Sequence, residues 1–438
     1  MESSRLEALP PEMKYVILFT IPDLASLNAL VHASPIFHTL YLSRRKQLLS
    51  TVLNRCLQLP VMVEAVAALI ALRGLEERRK NYRPFGILQF LYTYIPLRSN
   101  LDPTSSPSDT WSMYHEQDMD VYDIFTTFTE NDLIDMARLH TIVEYISEDM
   151  VCYFLKAIPG MQQQERSITP SPSESFRLQR TIYRLEILRL LCEWTYFKRK
   201  PPQFKESGQE FYYGFLCIFS PWEMEELKCF QEYVFHHYEE LPGASYSEDD
   251  WDPILLKNKP LYYTYGDDIN NGDREAFMLF GVGYLYRWIR ISRISCPEER
   301  LAQQMAMTRG RRGYLSGPML YAFEEYPDRE YHLDYGDEGT SGRIFVSDED
   351  WNSPNLAWTW CLDPDTPDAS IEYFTSAWNC TLRTWGYIFW DKDRLEEWDI
   401  GPQIVKEKVK DIWESIREMH ERSARLRQDL LSATGAGT

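Results

Sequence analysis

Apolar residues recur every three or four positions along much of the chain, which is the spacing of one face of an α-helix. Near the N-terminus, three such segments follow one another at residues 12–20, 24–33 and 35–57. Pro22-Asp23 separates the first two segments and Ser34-Pro35 separates the second from the third. Asp and Ser favour the N-cap of a helix, and proline is tolerated in its first turn. The pattern therefore predicts three consecutive helices.

The rest of the chain also has mainly helical spacing. Further helices are predicted at residues 62–79, 120–155 (with interruptions), 175–200, 221–238, 276–295 and 402–431, and a single short strand at 343–346. No repeat of fixed period is present, so a solenoid is not expected. The predicted fold is mainly α, with little or no β: a three-helix unit at residues 1–50, then a large irregular α-helical body at 51–438 that forms one subdomain or two.

The last predicted helix, at residues 402–431, has one continuous apolar face. The residues on this face are Ile404, Val405, Val409, Ile412, Trp413, Ile416 and Met419. A helix with a complete apolar stripe must bury it against another element. We therefore expect this helix to close the core, with Trp413 as its largest anchor.

Composition restricts the classes of partner. The 438 residues include 46 basic and 66 acidic side chains, which give a net charge of −20. A strongly negative surface repels a phosphate backbone, so no nucleic-acid partner is predicted. The longest apolar run, residues 61–72, is interrupted by Glu64 and is too short to span a bilayer, so no membrane partner is predicted. The acidic stretch at residues 101–160 is either a solvated face or a docking surface for a basic partner.

The cysteine and histidine patterns do not indicate a metal site. The eight cysteines are scattered without a Cys-x-x-Cys pair, and the chain does not begin like a secretory signal, so we expect reduced thiols and a cytoplasmic or nuclear location. His115-Glu116 and His420-Glu421 begin like a zinc-protease helix, but Met119 and Ala424 stand where the second histidine belongs. No cofactor, metal or catalytic group is predicted. An enzyme with a dispersed acid–base site is the third-ranked interpretation, because no spacing selects a pair of carboxylates.

The N-terminal segment contains a more specific pattern. Residues 9–12 read Leu-Pro-Pro-Glu and open the first helix, which continues through the pair Ile17-Leu18. A Pro-Asp-Leu turn at 22–24, a leucine-spaced second helix and a third helix with an aromatic residue follow. This segment resembles an F-box. Its Ala-Ser-Pro-Ile-Phe phrase at 33–37 is similar to the F-box-like segment of many large filamentous-fungal proteins.

The resemblance implies a function in ubiquitin transfer. F-box helices dock on the small adaptor subunit of a cullin–RING ubiquitin ligase, while the remainder of the chain recruits a protein substrate. The expected function is therefore that of a non-catalytic, substrate-recruiting subunit whose partners are the adaptor, the cullin and a protein substrate. The alternative is a helical interaction or scaffold protein whose N-terminal helices only pack internally.

The resemblance also implies which residues meet the adaptor. It places Leu9, Pro10, Met13 and Ile17 of the first helix against the adaptor. The second-helix positions divide between adaptor contact and internal packing, and they are Leu24, Leu27, Leu30 and Val31. Phe37 of the third helix is also assigned to the adaptor.

Overall fold

A computed structural model of the chain describes residues 6–57, 59–81, 87–99, 127–158, 169–196, 215–216, 218–238, 280–308, 355–362, 381–410, 413–414 and 425. These residues are mainly helical and contain no strand, which confirms the predicted all-α class. The short strand predicted at residues 343–346 lies outside the described residues. No helix among the described residues is both long and apolar enough to cross a bilayer.

Four helices form the N-terminal unit, which we define as residues 6–57. They are α1 (Pro11–Thr20), α2 (Leu24–Ala33), α3 (Pro35–Ser43) and α4 (Arg45–Cys56). Asp23 caps α2 as its residue type predicts, because its carboxylate accepts a hydrogen bond from the Ser26 backbone N–H at 2.6 Å. Proline occupies the first turn of both α1 and α3, where a missing N–H leaves no hydrogen bond unmade.

The single helix predicted at residues 35–57 is wrong, because the chain leaves the helical conformation at Arg44, with φ −134° and ψ 28°. The Ser43 hydroxyl donates to the Leu40 carbonyl at 2.7 Å, a local bond that competes with helix continuation. Tyr15 stabilises the break from α1: its hydroxyl lies 2.8 Å from the Ser43 hydroxyl, and its ring lies 5.0 Å from the Arg44 guanidinium carbon. The interruption lets α4 run in a new direction.

The described part of the body is built around α8. In chain order its helices are α5 (Leu59–Asn81), α6 (Ile87–Ser99), α7 (Glu130–Leu155), α8 (Pro172–Tyr196), α9 (Pro221–Tyr238), α10 (Val282–Ser292), α11 (Pro297–Thr308), α12 (Leu356–Cys361) and α13 (Lys392–Glu397). Two short 3-10 turns, Arg383–Trp385 and Tyr387–Phe389, precede α13. Helix α8 packs against α5, α7 and α9, so it lies at the centre of the body.

Charged side chains of α8 point into this core. Arg180 is fully buried and forms an ion pair with Glu226 of α9, with 2.7 Å between Nε and Oε2. Arg184, also buried, binds Glu64 of α5 at 2.9 Å and Glu223 of α9 at 2.7 Å. Buried ions are tolerated only when they are paired and hydrogen-bonded. These three helices are therefore joined by charge as well as by apolar contact.

The described part of the C-terminal segment packs in the core as predicted. Residues 402–410 are helical, and Val405 and Val409 are fully buried. Trp413 is half-buried, and its indole N–H donates to the Cys361 carbonyl of α12 at 2.9 Å. Ile412, Ile416 and Met419 lie outside the residues that the structure describes. The segment is thus attached to the body by both apolar and hydrogen-bond contacts.

The N-terminal unit joins the body through α4, which lies along the first half of α7. At one end Arg45 forms an ion pair with Glu130, and at the other end Cys56 approaches His140 and Glu144. The first contact joins the first residues of both helices and the second joins later residues of both, so α4 and α7 run in the same direction. The unit and the body share a continuous apolar core across this contact.

Candidate functional site

Four of the residues predicted for adaptor contact lie in the core of the N-terminal unit. Leu24, Leu27, Val31 and Phe37 have exposed fractions of only 6, 3, 7 and 1%. They pack with Leu18 of α1, which is fully buried. These four side chains stabilise the unit and present almost no surface to a partner. Leu30 is half-buried and packs at the margin of the same core.

The predicted residues of α1 form an apolar surface on the opposite face. Pro10 is exposed, Met13 is 50% exposed, and Leu9 and Ile17 are half-buried. Val16, which the resemblance does not assign to the adaptor, is 54% exposed. Residues three and four apart are neighbours on a helix, so these side chains form one stripe along α1. We call Leu9, Pro10, Met13, Val16 and Ile17 the α1 surface.

Exposed apolar side chains are concentrated in the N-terminal unit. Seven large hydrophobic residues are exposed among the described residues, and five of them lie within residues 6–42: Leu6, Met13, Val16, Ile36 and Leu42. Ser34 donates a hydrogen bond to Glu7 at 2.6 Å, which joins the turn carrying Leu6 to the α2–α3 junction near Ile36. Single exposed apolar residues are normal, so it is their concentration in one small unit that makes this unit the candidate for an interaction surface.

The α1 surface belongs to a helix that is held in place by packing and a hydrogen bond. The face of α1 opposite to Met13 contains buried Leu18, and α1 contacts both α3 and α4. Arg55 of α4 donates to the Ile21 carbonyl at 2.8 Å, just after α1 ends. A partner that docks on a fixed helix does not have to order it first, so less conformational entropy is lost on binding.

A second site, which the sequence did not predict, lies where α4 meets α7 and α8. Cys56, His140 and Glu144 each direct one potential metal-ligand atom towards the others, and the three atoms lie within 4.8 Å of one another. His140 Nε2 is 3.5 Å from Glu144 Oε1, and His140 Nδ1 is 3.0 Å from the hydroxyl of buried Tyr183 in α8. His140 is 1% exposed, whereas Cys56 and Glu144 are half-buried. We call these three residues the Cys-His-Glu cluster.

The environment of the Cys-His-Glu cluster shifts all three pKa values towards the neutral forms. Burial lowers the pKa of His140 to about 4. Burial, with the nearby charges of Asp23 and Glu148, raises the pKa of Glu144 to about 7. Burial and the charge of Glu144 raise the pKa of Cys56 to about 11, against a hydrogen bond from the Leu24 backbone. Desolvation therefore dominates the cluster, and a cation placed within it would reverse the shifts of the thiol and the carboxyl.

Sequence patterns missed the Cys-His-Glu cluster because its residues come from different parts of the chain. His140 and Glu144 are four apart on α7, which places them on one helical face, and this spacing is readable in the sequence. Cys56 arrives from α4, whose direction depends on the break at Arg44. Nothing local in the sequence predicts that break.

Carboxylates elsewhere in the described residues are largely committed to ion pairs. A cavity of about 190 Å³ between α5, α7, α8 and α10 has Asp135 and Glu186 at its edge. Asp135 pairs with Arg73 at 2.8 Å, and Glu186 pairs with Arg189 at 2.6 Å. Neither carboxylate is free to act as an acid or base without losing its cation.

The acidic stretch at residues 101–160 also contains carboxylates that form ion pairs within the protein. Residues 101–126 lie outside the described part of the chain. In the described part, Asp132 pairs with Arg73 at 2.7 Å and Asp149 pairs with Arg293. Some of the negative charge on α7 is thus neutralised within the protein and joins α7 to its neighbours.

Comparison of the chain with models of known protein families, with curated proteins and with solved structures finds no match.

Proposed function

We propose that the chain is a non-catalytic, substrate-recruiting subunit of a cullin–RING ubiquitin ligase and that it binds the adaptor through the α1 surface. The observation that carries this proposal is the apolar α1 surface at the position where the sequence resembles an F-box. The surface combines exposed Met13 and Val16 with the Leu9-Pro10 opening of the motif. In this proposal the body recruits a protein substrate and the cullin is reached through the adaptor.

The size of the α1 surface suits an interface anchor. Burying a large aliphatic or methionine side chain contributes about 1.5–3 kcal/mol relative to leaving it exposed. Met13 and Val16 are each about half exposed, so together they offer roughly 2 kcal/mol of unused burial. A few such residues at the centre of an interface dominate its affinity. Leu6 and Ile36 then extend the contact towards the α2–α3 junction.

Two further features support a reducing compartment, where such ligases act. Among the described cysteines, Cys56, Cys152, Cys229, Cys296 and Cys361 form no disulfide bond. Cys229 and Cys361 are fully buried, where a reduced thiol behaves as a small apolar side chain. A cytoplasmic or nuclear location is therefore part of the proposal.

The test replaces the most exposed part of the α1 surface. A Met13→Glu/Val16→Glu variant should keep the melting temperature of wild type, because both side chains already face solvent. Its affinity for the adaptor should fall by about thirtyfold or more, which corresponds to about 2 kcal/mol. Binding is measured by titration with the purified adaptor–cullin pair. Leu301→Glu is the matched control, since Leu301 is 37% exposed on α11, far along the chain from the motif.

A second variant distinguishes specific binding through the motif from nonspecific hydrophobic binding. Leu9→Ala/Pro10→Ala truncates the motif opening without adding charge, and it should also weaken adaptor binding while preserving circular dichroism. Failure of the wild-type chain to bind the adaptor would overturn the proposal. If the adaptor does not bind but another protein is lost on Met13→Glu/Val16→Glu, the interaction or scaffold interpretation replaces it.

A further inference from the structure

We propose that the Cys-His-Glu cluster is a Zn²⁺ site that fastens the N-terminal unit to the body. Cys56 contributes Sγ from the end of α4, and His140 and Glu144 contribute Nε2 and a carboxylate oxygen from α7. The inference concerns a different part of the molecule from the α1 surface and does not depend on adaptor binding.

The distances suit tetrahedral coordination. Zinc bonds of about 2.0–2.3 Å to nitrogen, oxygen and sulfur place neighbouring ligand atoms roughly 3.3–3.7 Å apart. His140 Nε2 and Glu144 Oε1 are 3.5 Å apart, already within that range. The three ligand atoms lie within 4.8 Å of one another, so the sulfur has to approach the other two by no more than about 1 Å. A cysteine achieves this by a small rotation of its side chain at the half-buried end of α4.

The donor set selects the metal. A thiolate, an imidazole and a carboxylate together suit Zn²⁺, whereas Mg²⁺ and Ca²⁺ prefer oxygen ligands only. Asp23, which approaches the cluster, has both carboxylate oxygens engaged by Ser26. Within the described part of the chain, the protein therefore supplies three ligands. Glu144 is 34% exposed, which leaves a solvent-facing side where water completes the fourth position.

Tyr183 orients the imidazole for this role. Its hydroxyl lies 3.0 Å from His140 Nδ1, and both side chains are almost completely buried. When Nδ1–H donates to the Tyr183 oxygen, Nε2 presents its lone pair towards Cys56 and Glu144. Such hydrogen bonds to the distal nitrogen are a regular part of zinc sites, and their loss lowers metal affinity by about 10–100-fold.

The metal would link the N-terminal unit to the body because Cys56 belongs to the unit, whereas His140 and Glu144 belong to the body. Besides their apolar contact, α4 and α7 are joined at the far end by the partly exposed ion pair Arg45–Glu130. A coordinated ion at the Cys56 end would hold both ends of α4 against the body. A metal ion that binds the folded state but not the unfolded state raises the melting temperature of the protein.

The experiment uses the full chain, stripped of metal with a chelator and titrated with Zn²⁺ against a chromophoric competitor. We expect one Zn²⁺ per chain, a higher melting temperature with the metal, and near-ultraviolet charge-transfer absorption showing thiolate ligation when Co²⁺ replaces Zn²⁺. Cys56→Ala should weaken Zn²⁺ binding by at least about a hundredfold and abolish the thiolate absorption. Tyr183→Phe should weaken binding by about 10–100-fold.

Two controls exclude adventitious thiol binding. Cys152→Ala removes an exposed thiol from α7, and Cys296→Ala removes an exposed thiol that lies 3.2 Å from Glu298. Both should bind Zn²⁺ as wild type does. Glu144→Gln keeps the shape of a half-exposed side chain and tests the site even if Cys56→Ala unfolds. Wild-type protein that binds no Zn²⁺, or a folded Cys56→Ala or Glu144→Gln variant that binds it as tightly as wild type, overturns the inference.

Discussion

Helices α1 and α8 distribute apolar and charged side chains in opposite ways. On α1, Met13 and Val16 face solvent although they are apolar. On α8, Arg180 and Arg184 face the core although they are charged, and they bind carboxylates of α5 and α9. Amphipathicity alone predicts the reverse arrangement for both helices. The exposure of apolar residues on α1 and the burial of arginines on α8 therefore depend on groups outside each helix.

The two exceptions differ in what they contribute. Exposed apolar groups add little to folding but are available for binding. Buried ion pairs add little net stability, because desolvation offsets their attraction, yet each requires one arrangement of partners. We infer that the ion pairs of α8 specify how α5, α8 and α9 pack, whereas the α1 surface contributes little to folding and is available for the binding proposed above.

The largest expected effect comes from breaking the buried charge of α8. Arg184→Met leaves Glu64 and Glu223 buried without this cation, so the free energy of unfolding should fall by about 3–5 kcal/mol. Urea denaturation followed by circular dichroism measures the change. The control is Lys392→Ala, which removes an exposed ion pair with Glu396 and should cost less than about 1 kcal/mol. Equal stability of the two variants would contradict the contrast between α1 and α8.

The next effect compares buried and exposed apolar residues within the N-terminal unit. Leu27→Ala removes a side chain that is 3% exposed and should cost about 2–5 kcal/mol. Met13→Ala removes one that is 50% exposed and should change the free energy of unfolding by no more than about 0.5 kcal/mol. Thermal and urea unfolding of both variants provide the test. A large loss for Met13→Ala would mean that the α1 surface packs internally.

The smallest effect concerns Asp149, which joins α7 to α9 and α10. Burial alone would raise the pKa of Asp149, but hydrogen bonds from His237 and Tyr233 and the charge of Arg293 lower it to about 2. A carboxyl whose pKa is depressed in the folded state stabilises above its unfolded pKa, and this contribution is lost as pH falls towards the folded value. Asp149→Asn should therefore cost about 2 kcal/mol at pH 7.

The same reasoning fixes the pH dependence. The stability difference between wild type and Asp149→Asn should shrink below about pH 4 and nearly vanish at pH 2. Urea unfolding at several pH values between 7 and 2 measures this difference. Asp393→Asn, which alters an exposed carboxylate of α13, should show no such trend. A difference that stays constant with pH would assign the effect of Asp149→Asn to packing instead.

Local patterns predicted the helices best where capping residues and apolar spacing agree. The helix predicted at 221–238 coincides with α9, Pro221–Tyr238, because Ser220 and Pro221 mark its start. Helix α6 was not predicted, since Pro96 lies inside it and proline normally ends a helix. The arginines of α8 gave no sign of burial, because their acidic partners lie on α5 and α9, far along the chain.

The candidate sites also differ in whether local sequence patterns or long-range packing determine them. The Leu9-Pro10 motif and the spacing of Met13 are local, so sequence patterns could select these residues of the α1 surface, although they did not select Val16, which is 54% exposed. Which apolar residues of α2 remain exposed depends on how α2 packs, and Leu27 and Val31 proved to be buried. The Cys-His-Glu cluster depends on the path of the chain after Arg44, which a sequence pattern does not contain.

The break at Arg44 also decides where the N-terminal unit tolerates a change of chain length. Arg44 lies outside the helical conformation, so a residue inserted there can be accommodated in the turn between α3 and α4. A residue inserted within α4 would instead rotate all later residues of the helix by about 100°, which would turn Cys56 away from α7 and Arg55 away from the Ile21 carbonyl. In evolutionary terms, insertions and deletions are expected at the break and not within α4.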